Sequence, residues 1–396
     1  MKKLLIYEDK NKILPTGGPE GYLYNLMIGL KEYNQNDFEI EFLEETPNKT
    51  KQKLKEFYMK LPKKIKGKLK CLNAEKFYKS MKNDELINNK IDFSQYDYIH
   101  FHYTFDLYKN KSKLKDYKGK IILTSHSPEP YHLEYIDKIY DLVNDKSVYK
   151  KFAAFEEFDR YAFERADYVF FPCEEAEEPY SKNWDFFDKF KREHKDKFRY
   201  ILSGVEKKQV TVSPEEIREK YKIPSSAFVI SYVGRHNEVK GYGDLKLIGQ
   251  KILKENDDIY FICAGKEGPM YKLENERWIE VGWTNDPASI INASNLFILP
   301  NKETYFDLVF LEVLSIGVPI LASDCGGNRY FNKYKTNGIV LFKSIEDACN
   351  KILKLKPDLT DKDKIQEIKR ELKGIYEKDF SSQIFAKNYI ELLKSI

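Results

Sequence analysis

The chain has 396 residues, of which 42% are hydrophobic and 33% are charged, and its formal net charge is +4. This composition excludes a disordered protein, and the sequence has no apolar run near the ~20 residues that span a bilayer, which excludes a membrane-embedded one. The length predicts two α/β domains of roughly 200 residues each, which implies a cleft between them.

Strands and helices alternate along the first half of the chain. An apolar strand over residues 4–7 leads into a loop that contains Gly17 and Gly18, and a helix with one apolar face follows. The first strand is too short for the apolar core of a signal peptide. Later apolar runs predict buried strands over residues 98–101, 121–123 and 168–171. This alternation predicts a parallel sheet covered on both faces.

Residues 48–70 form a basic stretch with ten lysines and one acid. Apolar residues recur in it near helical spacing, so it is either a surface for anionic lipid headgroups or a solvated, lysine-rich helix face. No RNA- or DNA-binding motif accompanies the charge, so nucleic acid is not an expected partner. The five cysteines are widely spaced and contain no CxxC pair, which predicts a reducing cytoplasm and no zinc or redox pair.

The second half of the chain repeats the alternation and predicts a second Rossmann-like domain. Its strand-like runs are residues 228–233, 259–264, 278–281, 296–299 and 319–322.

The predicted domains are residues 1–205 and 206–379. The boundary falls just ahead of a helix whose first turn is acidic, as the positive end of the helix dipole favours. Residues 380–396 predict an amphipathic helix, capped by Ser381 or Ser382, that packs back on the first domain.

A short basic segment follows the first strand of the second half. The strand ends at Val233, and Gly234, Arg235 and Lys240 come next. Ligands of doubly wound folds bind at the carboxyl edge of the parallel sheet. Arg engages phosphate in bidentate fashion, while Lys supplies a mobile charge. The segment therefore predicts a phosphate site, with exposed surface charge as the alternative.

The segment from Pro300 to Gly327 predicts a second part of the same site. A strand ends at Pro300, and a helix begins near Phe306, contains Glu312 and ends at Gly317. The free amides at the start of this helix are expected to face the basic segment and add an anion-binding end to it. A carboxylate in so apolar a helix requires a partner, and ribose hydroxyls would provide one.

Four segments, in this order, resemble the retaining glycosyltransferases of family 4: TGGPEG, GRHNEVKG, AGKEGP with VGWTNDPASIINASNLFILP, and FLEVLSIGVPILAS. The resemblance runs through most of the chain. It implies the α/β GT-B fold, in which two Rossmann-like domains face each other across a cleft. It also implies transfer of a sugar from a nucleotide-sugar donor, with retention of the anomeric configuration and without a required metal.

The resemblance assigns roles to individual residues. Arg235 and Lys240 match the basic pair that holds the donor diphosphate and stabilises its charge as it leaves. Glu312 matches the acid that binds the ribose of the nucleotide. Gly17 and Gly18 match the loop that brings the first domain close to the phosphates, where a Cβ would intrude.

A histidine and several donor-binding positions complete the implied site. His126 falls where such enzymes often place a histidine beside the transferred sugar, and a hydrogen-bonded loop histidine is the alternative. Together with Glu312, the residues that border the phosphate site are expected to contact the donor: Gly234, Gly265, Glu303, Thr304, Phe306, Asp307, Leu308 and Val309.

The chain departs from the family at two positions. Eight residues before Glu312 stands Thr304, where the family's E-x7-E motif has its first acid, and Glu303 lies one residue further away. That acid contacts hydroxyls of the donor sugar, so the change concerns the identity of the sugar. Asp307 stands where the family usually has glycine. Its carboxylate is unfavourable near phosphates unless it contacts sugar hydroxyls instead.

These patterns predict a cytoplasmic hexosyltransferase at the inner face of the plasma membrane, in bacterial surface polysaccharide or glycoconjugate synthesis. The expected co-substrate is a UDP-sugar or a GDP-sugar, with no other cofactor and no metal, and the acceptor is a glycan or lipid-linked glycan. A nucleotide-sugar epimerase of the same fold is one alternative. Another is a non-catalytic glycan-binding or partner subunit, which Thr304 favours. A nicotinamide-dependent enzyme is disfavoured because no G-x-G-x-x-G follows an early strand.

Overall fold

The computed structural model describes residues 1–8, 13–15, 18–43, 58, 61–87, 90–127 and 129–396. The chain forms two compact units, and each unit draws on several chain segments. The first unit comprises Met1–Glu20, Asn34–Phe171 and Glu178–Ile201. The second unit comprises Gly21–Tyr33, Pro172–Glu177 and Leu202–Ile396.

A parallel sheet of six strands forms the centre of the first unit. The strands are β1 (Lys2–Tyr7), β2 (Phe38–Phe42), β3 (Tyr98–Phe101), β4 (Lys120–Thr124), β5 (Tyr168–Phe171) and β6 (Phe198–Tyr200). Their order across the sheet is β2-β1-β3-β4-β5-β6. The winding therefore reverses between β1 and β3. Strand β3 is buried along its whole length, as expected for a parallel strand covered on both faces.

Helices cover the sheet of the first unit, while α1 (Pro19–Tyr33) belongs from Gly21 onward to the second unit. The first-unit helices are α2 (Lys63–Lys82), α3 (Thr104–Lys109), α4 (Lys111–Leu114), α5 (Tyr131–Val143), α6 (Ser147–Phe152), α7 (Glu156–Arg165), α8 (Glu178–Asn183) and α9 (Asp185–Glu193). Aromatic rings pack between them, as where Phe105 meets Phe158 edge to face at 5.1 Å.

The second unit also contains six parallel strands. They are β7 (Phe228–Val233), β8 (Ile259–Ala264), β9 (Trp278–Gly282), β10 (Leu296–Leu299), β11 (Ile320–Ser323) and β12 (Ile339–Phe342). Their order is β12-β11-β10-β7-β8-β9, so the winding reverses between β7 and β10. Each sheet is therefore doubly wound, and each unit is Rossmann-like.

The helices of the second unit begin at clear sequence signals. Besides α1 they are α10 (Pro214–Lys220), α11 (Tyr242–Glu255), α12 (Pro287–Asn292), α13 (Leu308–Ile316), α14 (Ile345–Thr360), α15 (Lys362–Asp379) and α16 (Ser382–Lys394). Ser213 and Glu216 form a capping box at α10. The Ser381 hydroxyl accepts a hydrogen bond from the N–H of Ile384, which confirms one of the two predicted caps of α16.

All nine strands predicted from the sequence are confirmed, with ends that shift by at most two residues. Strands β2, β6 and β12 were not predicted, and each lies at an edge of its sheet. In the described part of the chain, no helix is long and apolar enough to cross a membrane.

The C-terminal helix α16 was predicted to pack back on residues 1–205, and it does lie against α1 and Val205 of that range. The compact units divide the chain differently, because α1 from Gly21 onward belongs to the second unit together with α16. The ring of Tyr22 meets that of Phe385 edge to face at 4.9 Å. The Asn25 side chain accepts a hydrogen bond from the N–H of Glu206 at 2.7 Å, which fixes α1 to the segment that leads into the second sheet. The partner of α16 thus comes from early in the chain without belonging to the first unit.

Candidate functional site

Two loops follow neighbouring strands at the point where the second sheet reverses its winding. Residues 234–241 follow β7, and residues 300–307 follow β10. In doubly wound sheets, ligands bind at this position, outside the carboxyl ends of the strands. The structure thus brings together the two segments that the sequence assigned to one phosphate site.

Glycines let these loops approach each other backbone to backbone. Gly241 has a φ of 65°, and a Cβ at this position would overlap the carbonyl oxygen of Pro300. Gly265 has a φ of 148°, and a Cβ there would overlap the carbonyl oxygen of Gly234. Side chains are excluded at both positions, because the space is filled and because positive φ disfavours them.

Asp307 lies where the two loops meet and caps the amino end of α13. Its carboxylate accepts hydrogen bonds from the N–H of Val309 at 3.4 Å and from the side-chain amide of Asn301 at 2.7 Å. The ammonium group of Lys240 binds the same carboxylate. Burial would raise the pKa of Asp307, but the charge of Lys240 and these hydrogen bonds hold the pKa below its ordinary value.

Arg235 differs from Lys240 because its side chain is exposed. In the described ranges its guanidinium forms no ion pair, while its carbonyl accepts a hydrogen bond from the hydroxyl of Tyr232 at 2.9 Å. The Tyr232 hydroxyl lies within electrostatic range of both Arg235 and Asp307. Arg235 and Lys240 thus belong to the same loop, which follows β7.

Glu312 lies in the second turn of α13, and its partner is a lysine that the sequence did not single out. The Lys208 ammonium is 3.0 Å from a Glu312 carboxylate oxygen. The N–H of Lys208 also donates to the Ser315 hydroxyl, which donates in turn to the Glu312 carbonyl. Burial raises the pKa of Glu312 above its ordinary value, although Lys208 opposes this shift. Lys208 thus orients the acid assigned to the ribose.

A buried histidine, which no sequence pattern singled out, supports the loop that contains Arg235 and Lys240. The His236 imidazole stacks on the Tyr242 ring, with centroids 3.9 Å apart and planes at 9°. Its Nε2 is 3.6 Å from the Glu280 carboxylate, which accepts hydrogen bonds from Tyr242 and Trp278. Burial lowers the pKa of His236 and raises that of Glu280, so both charges are disfavoured there.

The remaining predicted donor contacts lie around the start of α13. Thr304 is only 4% exposed, and its carbonyl accepts a hydrogen bond from the N–H of Gly327. The Phe306 ring is buried and stacks on Phe331 at 5.5 Å, so its side chain serves packing. Leu308 and Val309 are the first residues of α13, where backbone amides point outward from the helix end. Glu303 is partly exposed in the same loop.

In the first unit, His126 lies beyond β4 in contact with a second histidine. Its Nε2 is 2.8 Å from His102 Nδ1, and the two rings stack at 5.0 Å with planes at 10°. His100 adds a third imidazole, which is buried and hydrogen-bonded to Thr124 at 2.7 Å. Burial lowers the pKa of His126 to about 3. His126 is therefore neutral near pH 7 and suited to hydrogen bonding rather than to charge pairing.

This pKa predicts that His126 makes the protein sensitive to acid. The folded pKa of about 3 lies below the value of about 6.5 in an unfolded chain, so the unfolded state binds an extra proton between these pH values. The associated stability is present above pH 6.5 and is lost as the pH falls toward 3. We expect His126→Gln to flatten the decline of the thermal midpoint between pH 7 and pH 4. His194→Gln in the same unit is the control, and parallel curves for wild type and His126→Gln would contradict the prediction.

Of the two predicted loop glycines, Gly17 lies outside the described residues, and Gly18 directly precedes α1. A further histidine of the first unit, His132, is buried, and its Nδ1 is 2.7 Å from the Asp159 carboxylate, which gives it a structural role. Tyr103 and Tyr131 are partly exposed, with ring centroids 5.6 Å apart.

Metal ligands do not cluster in the described residues: no group of three or more His, Cys, Asp or Glu side chains there could hold a metal ion. Asp361 and Asp363 lie at the start of α15, where Asp361 caps the helix by accepting hydrogen bonds from two backbone N–H groups. Asp361 therefore has a structural role.

Two Rossmann-like units, with Lys240, Asp307 and the amino end of α13 together at the winding reversal of the second, define a protein of the GT-B class. Residues 227–358 match the family Glycosyl transferases group 1. The matched part contains Arg235, Lys240 and Glu312.

Similar proteins of known structure agree with this fold. The Anabaena protein Alr3699/HepE, solved in complex with UDP and glucose, has a TM-score of 0.62 at 16% identity over 100% of both chains. Sucrose-phosphate synthase from Thermosynechococcus elongatus has a TM-score of 0.63 at 15% identity, over 100% of this chain and 99% of that one.

A curated relative is the UDP-Gal:alpha-D-GlcNAc-diphosphoundecaprenol alpha-1,3-galactosyltransferase of Escherichia coli. It is 26% identical over 177 residues, which are 41% of this chain and 46% of the relative. The chain spans less than half the length of the curated relatives that it matches.

Proposed function

We propose that this protein is a retaining, metal-independent glycosyltransferase that moves a sugar from a nucleoside-diphosphate sugar to a glycan or glycolipid. The observation that carries the proposal is the convergence of Lys240 and the amino end of α13 on one carboxylate, that of Asp307. An ammonium group and a helix amino end that share an anion are the groups that bind phosphate. Arg235 supplies a second cation beside them.

In the proposed reaction, the bond between the sugar C1 and the β-phosphate oxygen breaks while the acceptor hydroxyl oxygen bonds to C1. The proton of that hydroxyl passes to an oxygen of the departing diphosphate. Arg235 and Lys240 stabilise the negative charge that develops on this leaving group, which is the role a metal ion has in other transferases. His126 would donate a hydrogen bond to the transferred sugar or accept one from it.

Glu312 is proposed to accept hydrogen bonds from the ribose hydroxyls, with the Lys208 ammonium orienting its carboxylate. The remaining donor contacts are those predicted from the sequence, with Glu303 and Thr304 on the side of the donor sugar and Asp307 beside the phosphates. A UDP-sugar is the favoured donor because Alr3699/HepE was solved with UDP and the curated relative is named for UDP-Gal. A GDP-sugar is the alternative.

The acceptor is proposed to be a lipid-linked glycan at the cytoplasmic face of the plasma membrane. The curated relative, named for a diphosphoundecaprenol acceptor, supports this class of substrate. Of the basic stretch 48–70, residues 48–57, 59 and 60 lie outside the described residues. In the described part, α2 exposes Ile65 (46%) and Leu69 (37%) among its lysines. Apolar side chains among cations are suited to an anionic bilayer surface.

A non-catalytic glycan-binding or partner subunit is the second candidate, because Thr304 lacks the charge of the acid that it replaces. Titration calorimetry with UDP and GDP, followed by hydrolysis assays on a panel of nucleotide sugars, tests both. Binding with slow hydrolysis of one donor supports the transferase. Binding without turnover of any donor, with or without acceptor glycans, supports the subunit. No binding of either nucleotide contradicts the transferase.

Lys208 gives a specific prediction for nucleotide recognition. Without its charge, Glu312 loses its orienting partner in an environment that already raises its pKa. We expect Lys208→Met to weaken UDP binding about 10-fold, which corresponds to about 1.4 kcal/mol, as for loss of a charged hydrogen bond. Calorimetry with UDP and with 2′,3′-dideoxy-UDP measures it, because only UDP should lose affinity.

Lys207→Met is the matched control for this substitution. Lys207 is the neighbouring residue, is exposed and forms an ion pair with Glu377 at 3.4 Å, away from Glu312. Equal affinities in the two variants, or an equal loss for both nucleotides, would rule out a role of Lys208 at the ribose.

A further inference from the structure

Asp307 is surrounded by the groups that would otherwise bind a phosphate. Its carboxylate accepts hydrogen bonds from the Lys240 ammonium, the Asn301 amide and the N–H of Val309 in the first turn of α13. The Asp307 side chain is only 11% exposed, so it lies inside the site rather than at its rim. The chain thus carries its own anion in the place where the proposed donor has its phosphates.

We infer that Asp307 is a resident anion that competes with the donor diphosphate for Lys240 and for the amino end of α13. The inference rests on the proposed function and deepens it, because it makes Asp307 the residue that sets nucleotide affinity. Binding of a nucleoside diphosphate must either displace the Asp307 carboxylate from Lys240 or place a second negative charge beside that carboxylate. Either event lowers the affinity of the protein for the diphosphate.

Asp307 stays charged while it does this. The charge of Lys240 and the surrounding hydrogen bonds keep its pKa below the ordinary value, so protonation does not remove the competitor at neutral pH. In the absence of donor, the same carboxylate holds Lys240 and α13 in position. After transfer it returns to Lys240 as the nucleoside diphosphate leaves, which speeds product release. Asp307 is therefore a specificity-determining residue that acts through Lys240.

Two substitutions remove the charge but keep a helix cap. Asp307→Asn and Asp307→Ser both retain a side chain that accepts a hydrogen bond from the first turn of α13, because Asn and Ser are favoured at this position. The matched control is Asp361→Asn, which makes the same chemical change at the cap of α15 in the same unit, on an exposed surface.

The test is titration calorimetry of the full chain with UDP, GDP and uridine, with thermal unfolding to confirm that each variant folds. We expect both Asp307 variants to bind the preferred diphosphate at least about 10-fold more tightly than wild type. Uridine should show no difference, and Asp361→Asn should match wild type. In donor hydrolysis, the inhibition constant of the diphosphate product should fall by the same factor.

The outcomes separate this inference from the proposed function. If wild type binds a diphosphate and the folded Asp307 variants bind it equally or more weakly, the inference is overturned and the proposed function stands. If the Asp307 variants bind a diphosphate and wild type does not, the inference is supported in its strongest form. If wild type and all the variants fail to bind UDP and GDP, both are overturned.

Discussion

Replacing Lys240 with Met is expected to lower the rate of sugar transfer, or of donor hydrolysis, by about 10²–10³-fold. The Lys240 ammonium group binds Asp307, which caps the amino end of α13. The leaving diphosphate is proposed to bind at this helix end. Loss of the ammonium group removes a cation that interacts more strongly with the departing charge than with the ground state, so kcat should fall more than the affinity for donor. Steady-state hydrolysis of the donor found in the nucleotide-sugar panel measures both.

This substitution also leaves Asp307 without its ammonium partner, so stability must be separated from chemistry. A buried acceptor that loses its partner costs about 1–3 kcal/mol, and we expect a lower thermal midpoint for Lys240→Met. The double variant Lys240→Met/Asp307→Asn should recover stability, because no unpaired carboxylate remains. It should not recover transfer. A double variant with the wild-type rate would show that Lys240 acts only by neutralising Asp307.

Replacing Arg235 with Ala is expected to reduce the transfer rate by a similar factor, about 10²–10³-fold, for the same electrostatic reason. The effect on folding should differ. Arg235 is exposed and forms no ion pair in the part of the chain that the structure describes. The substitution should therefore change the free energy of unfolding of the protein by less than about 0.5 kcal/mol. Kinetics together with thermal unfolding would show a loss of activity without a loss of stability.

Two further variants sharpen the result for Arg235. Arg370→Ala removes another exposed arginine from the same unit, on α15, and should leave transfer unchanged. Arg235→Lys keeps the charge but loses the planar fork that binds two phosphate oxygens, and we expect an intermediate rate. An Arg235→Ala enzyme as fast as Arg370→Ala would exclude Arg235 from the diphosphate site.

The sequence was informative for the inner strands of both sheets, which were all predicted, and less so at the four sheet edges, where only β9 was predicted. Inner strands such as β8 are largely apolar because both faces of a parallel sheet are covered. Of the missed edge strands, β2 alternates with acidic residues and β6 has only three residues, so neither forms an apolar run. Strand β12 is an apolar run of four residues, as β10 is, and was missed although its pattern is similar.

In the candidate site, too, some residues were predicted from a local sequence pattern and others were not. Arg235 and Lys240 were predicted because the carboxyl ends of parallel strands meet at one edge, so a local pattern determines where they lie. Lys208 and His102 had no such signal, because each acquires its partner, Glu312 or His126, only through tertiary packing. The pairing of Asp307 with Lys240 likewise arises only through tertiary packing. The sequence marked Asp307 as unusual, but not which cation would hold it.

The position of α1 has a consequence for how the protein is made. This helix packs against α16, which emerges from the ribosome hundreds of residues later. Until then Tyr22 lacks its native contact with Phe385, and the second unit cannot complete its packing. A nascent chain that pauses ahead of α16 is therefore expected to expose apolar surface to which chaperones bind.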